Sequence, residues 1–200
     1  MAQRSDGDDA TPGEVWLVRH GETEWSANGK HTSHTDLDLT ANGEEAALAL
    51  KDLLTDHSFG LVLSSPLLRA RRTAELAGYA SPETDADLVE WDYGDYEGIT
   101  TPEIQERFQP EWSVWTHPTP GGESAEQVTE RMDRVVARLR EATADGSDAL
   151  VFGHGHGLRA LAARWLRLDV SEGRRFVLDT ATVSTLGDDR GTAVITSWNA

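Results

Sequence analysis

At 200 residues, with 38% hydrophobic and 26% charged side chains, the chain has the size of one globular domain and holds no apolar run long enough to span a membrane. A formal net charge of −17 argues against nucleic acid and anionic membrane surfaces as partners, and any anionic substrate must be caught by a local group of cations against that global field. The lack of cysteine excludes disulfides and thiolate catalysis and argues against a structural zinc site, leaving the cytoplasm as the expected compartment.

Residues 1–13 carry no hydrophobic segment and read as a disordered tail rather than a secretory signal. Val15-Trp16-Leu17-Val18 reads as a short buried strand that breaks into Arg19-His20-Gly21. Arg19 offers a rigid fork matched to a phosphate, His20 a ring nitrogen able to attack phosphorus, and Gly21 room for the backbone to approach a ligand. Residues 22–40 lack a regular period and hold a polar, histidine-bearing loop at 29–36. Thr40 reads as an N-cap before Ala46, Ala47, Leu50, Leu53 and Leu54 at helical spacing. Gly60 to Leu63 is a second buried strand, ended by Ser64-Ser65-Pro66, and Leu67 to Ala77 a second helix.

Strand, helix, strand, helix implies right-handed crossovers and a parallel sheet. Residues 78–100 are rich in Gly, Pro and Asp around a core at 88–94. Thr101-Pro102-Glu103 begins a helix, and 109–122 reads as an aromatic, proline-punctuated flap. Ser124 and Gln127 form a capping box for a helix presenting Val128, Met132, Val135, Val136 and Leu139 on one face. Ala149 to Phe152 is a third buried strand, followed by Gly153-His154-Gly155-His156-Gly157 and a helix through Leu168. Two strand-like runs about a turn at 188–191 complete the chain. The expected fold is a single α/β domain over 14–200. It is a three-layer sandwich with a mostly parallel central sheet, helices on both faces, an antiparallel edge and a flap insertion at about 99–122.

Three strand ends carry polar groups that a parallel sheet would bring to one edge: Arg19 and His20, the Ser64–Pro66 turn, and the 153–157 run. LVRHGETEWS at 17–26, LSSPLLRARRTAEL at 63–76, LVEWDYGDYEG at 88–98, PGGES at 120–124 and FGHGHGLRAL at 152–161 together resemble the histidine phosphatase superfamily, the group that includes cofactor-dependent phosphoglycerate mutases. The resemblance implies that His20 is a nucleophile forming phosphohistidine, that Arg19, Arg69 and His154 surround the phosphoryl oxygens, and that Glu90 is the proton donor. Asp92, Asp95 and Glu97 are Glu90's rivals by composition. Phosphoryl transfer asks a protein for positioning and positive charge, which these residues supply without metal or cofactor. His154 and His156 invite a metal reading but have no third ligand nearby, so His156 is expected to be structural or a supporting donor. Thr23, Ser26, Lys30, His31, Thr32 and Ser33 form the expected substrate-binding set, while His34, His57 and His117 are expected at the surface. Paired arginines for a substrate carboxylate are missing from 99–122, which offers only Arg107. The expected activity is therefore a metal-independent phosphomonoesterase acting on a small phosphorylated substrate such as a sugar phosphate. A phosphoglycerate mutase and a catalytically silent phospholigand-binding module are the alternatives.

Overall fold

The computed structural model describes residues 11–200. Strand β1 (Val15–Arg19) leads through a one-turn helix α1 (Glu24–Ala27) to α2 (Ala41–Leu54), β2 (Phe59–Ser64), α3 (Leu68–Leu76) and a two-residue β3 (Glu83–Thr84). Helices α4 (Thr101–Arg107) and α5 (Ala125–Thr143) precede β4 (Asp148–Gly153), α6 (Gly155–Trp165), β5 (Val183–Asp189) and β6 (Thr192–Ser197). The six strands lie in the order β3-β2-β4-β1-β5-β6. β1, β2, β3 and β4 run parallel, and β5 and β6 add an antiparallel edge, as the sequence predicts.

Side-chain alternation along the strands divides the core. Val15, Leu17, Ala149 and Val151 face a cluster with Val128, Met132, Val135 and Leu139 of α5 and Leu158 and Leu161 of α6. Val18, Leu150 and Phe152 face the other way, onto Leu50 and Leu54 of α2 and Ala74 of α3. Helices therefore cover both faces, and the ends of β1, β2 and β4 open at one edge.

Several local expectations are corrected. The buried face of α2 is Gly43, Ala47, Leu50 and Leu54, whereas Leu53 is 56% exposed and Ala46 is also exposed. Gly43, Ala47, Leu50 and Leu54 follow one line in steps of three and four, and Leu53, one residue or about 100° before Leu54, falls to the side of it. Helix α4 does begin at Thr101, as expected, with Thr100 as its cap and Glu103 completing a capping box. α6 stops at Trp165 rather than Leu168, and α1 and β3 are too short to leave a period in the sequence. Of the tail read as disordered, residues 1–10 lie outside the described residues. Gly13, by contrast, donates its N–H to Thr143 O at 2.9 Å, against the end of α5. The 109–122 segment is packed, with Trp112, Val114 and Trp115 buried and Trp112 Nε1 donating to Pro118 O. Among the described residues no helix is long and apolar enough to cross a membrane.

Candidate active site

The break after β1 places His20 at the strand-end edge, where its backbone N–H donates to Gly153 O of β4 at 2.9 Å. Its Nδ1 lies 2.7 Å from Gly21 O. A carbonyl oxygen only accepts, so Nδ1 carries the proton and Nε2 keeps its lone pair. His20 is 5% exposed and lines a cavity of about 320 Å³. Burial first, then the charges of Arg19 and Arg69, hold its pKa well below the ordinary imidazole value, so the ring is neutral near pH 7.

Gly21 is needed for a different reason than the sequence implies. A Cβ there would sit 2.5 Å from Gly43 O, and one on Gly43 would sit 2.2 Å from Glu22 O. The close approach is between the end of β1 and the first turn of α2, with Gly21 N donating to Thr73 Oγ1 of α3. Three elements thus pin the peptide that orients His20.

Around His20 the cations divide into two kinds. Arg19 lines the cavity, donates Nη1 to Leu178 O, and leaves its buried Nε without a protein partner among the described residues. Arg69 is fully buried and absent from the cavity wall. It donates Nη1 to Thr35 O and Nη2 to Thr32 O and Ser33 O, and Nε to His154 Nδ1 at 3.2 Å. His154 Nδ1 must then be the acceptor, so Nε2–H donates to Ser65 Oγ at 2.7 Å. His154 is likewise fully buried, its ring 5.2 Å from that of His20, and burial and then Arg69 push its pKa well down. His154, expected among the groups that surround the phosphoryl oxygens, is here a neutral ring with both nitrogens engaged.

Glu90 is the sole acid on the cavity wall among the described residues. Its Oε1 accepts from Trp91 N and Gly157 N at 2.8 and 2.7 Å, and Oε2 from His156 N at 3.0 Å. The last two donors belong to the first turn of α6, where unpaired N–H groups and the helix dipole suit an anion. The rival acids are engaged elsewhere. Asp92 meets exposed His34 at 3.1 Å, Asp95 is exposed, and Glu97 ties down Ser33 and Thr35 through their N–H groups.

Of the expected substrate set, Ser26, Lys30, His31 and Thr32 line the cavity, and Thr23 and Ser33 do not. Thr23 spends its hydroxyl capping α1, on Ser26 N, and Ser33 gives its hydroxyl to Glu97. His31 is buried against the Tyr93 ring at 4.5 Å, and burial lowers its pKa to about 4. His57 is exposed, as expected, and His117 half-buried. Sequence reasoning missed Tyr93, whose hydroxyl lies 2.6 Å from His156 Nδ1, and Arg159, which joins the cavity wall with its guanidinium 4.8 Å from the Trp115 ring. Arg159 lies three residues after His156, so helical spacing within the quoted 152–161 block carried its signal. No group of three or more His, Asp or Glu is placed to hold a metal ion among the described residues.

The sequence model of the Histidine phosphatase superfamily (branch 1) matches residues 15–200. Over 177 residues the chain is 44% identical to an acid phosphatase of Mycobacterium tuberculosis, covering 88% of this chain and 86% of that one. It is 35% identical over 203 aligned positions to the sedoheptulose 1,7-bisphosphatase of Saccharomyces cerevisiae, covering 86% of this chain and 74% of the other. The structure of an open reading frame product from Mycobacterium tuberculosis superposes with a TM-score of 0.89 at 41% identity, over 94% of this chain and 97% of that one.

Proposed function

Because this chain belongs to the histidine phosphatase superfamily, we propose that it hydrolyses small phosphomonoesters, sugar phosphates foremost, by passing the phosphoryl group through Nε2 of His20. The observation that carries this reading is the tautomer of His20: proton on Nδ1, lone pair on Nε2, a neutral ring, and a cavity in front of it. In the first half-reaction Nε2 bonds to phosphorus as the ester P–O bond breaks, and Glu90, entering the step protonated, gives its proton to the departing alkoxide and becomes the carboxylate that the His156 and Gly157 N–H groups hold. In the second, the Glu90 carboxylate takes a proton from water, whose oxygen attacks phosphorus and releases inorganic phosphate and free His20. The cation that forms on the ring is met by the Gly21 carbonyl through Nδ1–H. Arg19, next to His20 in the chain and on the cavity wall, is the cation placed to meet phosphoryl oxygens directly. Arg69 acts from behind, its charge close to His20 and its fork fastened to the 32–35 loop. Metal takes no part in this scheme, so a chelator leaves the rate unchanged.

A mutase would need dedicated cations for a substrate carboxylate. Arg159 supplies one that the 99–122 segment lacks, but it gives Nε to Gly173 O and Nη2 to Arg174 O, so it does not offer a free fork. Arg107 is exposed and paired with Glu103. Rapid acid and alkaline quench with ³²P-labelled substrate tests the proposal. Label stable in alkali, lost in acid and absent from His20→Ala is expected, and no such label would overturn it. Inorganic phosphate should outpace any conversion of 3-phosphoglycerate by the bisphosphoglycerate-primed enzyme. The reverse order would establish the mutase.

A further inference from the structure

Behind the acid on the cavity wall lies an ion pair that touches neither the cavity nor His20. Arg131 of α5 is 5% exposed and holds Glu123 in a two-pronged contact, Nε to Oε1 at 2.8 Å and Nη2 to Oε2 at 2.9 Å. Its remaining bonds leave the helix: Nη1 donates to Asp87 O at 2.8 Å and to Val89 O at 2.9 Å. Glu123 reaches the same segment from the other side. Its Oε2 accepts from Asp92 N at 2.9 Å, its own N–H donates to Asp92 O at 3.0 Å, and its carbonyl accepts from Trp91 Nε1 at 3.1 Å. The turn that delivers Glu123 is built for contact: a Cβ on Gly122 would sit 2.2 Å from Asp92 O, and Asp95 N donates to Pro120 O.

We propose that Arg131 and Glu123 are positioning residues for Glu90, an ion pair that clamps the peptide units on either side of the proton donor and fixes how far its carboxyl reaches into the cavity. The inference rests on Glu90 being that donor. Residues 89–93 belong to no helix or strand, so no ladder of backbone bonds holds them. Val89 C=O is the acyl half of the peptide bond whose nitrogen is Glu90 N, and Asp92 N follows the Trp91 that Glu123 also holds. Fixing both ends leaves the Glu90 side chain little freedom beyond its own bonds to α6. A buried pair is often replaced by apolar residues with little loss of stability. A pair whose bonds converge on one irregular segment has a geometric use instead, because sub-ångström placement governs proton transfer.

The test compares Arg131→Met, Arg131→Lys and Glu123→Gln with the parent on two substrates. Glycerol phosphate leaves as an alkoxide that needs a proton, and p-nitrophenyl phosphate leaves without one. The kcat/KM of the alkyl ester, which reports only the half-reaction before water attacks, should fall about 10- to 100-fold and that of the aryl ester by less than about threefold. Arg131→Lys, which keeps the charge but not the fork, should fall between Arg131→Met and the parent. In a Glu90→Gln background the same substitutions should leave the ratio of the two rates unchanged. Equal losses on both esters, or none, in variants that melt as folded proteins would overturn the inference. Where Arg131→Met does not fold, Glu123→Gln decides by the same ratio. If Glu90→Gln alone slows both esters alike, the proton-donor reading fails and takes this inference with it. If Glu90→Gln discriminates and the clamp variants do not, only the clamp fails.

Discussion

At His20 a single hydrogen bond decides which nitrogen is free, and burial between two arginines decides its charge. A group whose pKa is depressed stays neutral until the pH falls well below the ordinary imidazole value. The kcat/KM of an aryl phosphate should therefore hold from pH 7 into the range below pH 6, where an unperturbed imidazole would already be mostly protonated. A pH profile that loses half its rate near 6.5 would show that His20 titrates as a free imidazole. Arg19-His20-Gly21 was legible because a buried strand that ends abruptly in polar groups is a one-dimensional pattern. The purpose of Gly21 was not legible, since its contact, Gly43, becomes a neighbour only when β1 and α2 cross. Tyr93 was hidden for the same reason, since it sits among residues with structural duties and only the cavity sets it apart.

Elements were readable in proportion to their length and their caps. The long α5 announced itself by the Ser124–Gln127 box and an apolar stripe, although buried Arg131 on the same helix carries charge where that stripe predicts a hydrocarbon. Segments 22–40 and 88–98 have no period because side-chain-to-backbone bonds hold them, through Glu97, Glu123 and Arg69. Helix α2 permits a direct check of the corrected register. Leu50→Ala, which empties a fully packed site, should cost about 2–5 kcal/mol. Leu53→Ala, on the solvent side, should fall within about 0.5 kcal/mol of the parent in denaturant unfolding. Equal costs would return the helix to the register first inferred from spacing.

On the scale of the whole molecule, the layers and the parallel sheet with its antiparallel edge followed from the alternation of strands and helices, while the strand order had to be seen. Four histidines have depressed pKa values, first of all by desolvation: His20, His31 and His154, which are buried, and His156, which is half-buried at the cavity wall. Each binds its proton more readily in the unfolded chain, so its contribution to stability is complete above pH 6.5 and is lost as the pH falls toward the folded pKa. For His31 the window runs from 6.5 to about 4 and amounts to on the order of 3 kcal/mol. Urea midpoints measured between pH 7 and pH 4 should decline, and His31→Gln should decline less; parallel curves would show that His31 contributes nothing to the loss. The strand order also governs how the chain comes together. β1, the first strand made, lies between β4 and β5, the fourth and fifth. A chain emerging from the ribosome must carry Val15-Trp16-Leu17-Val18 without a pairing partner until residue 148 and beyond have been synthesised. Seating that strand is a late, long-range step, so the peptide that presents His20 is organised only after most of the protein exists.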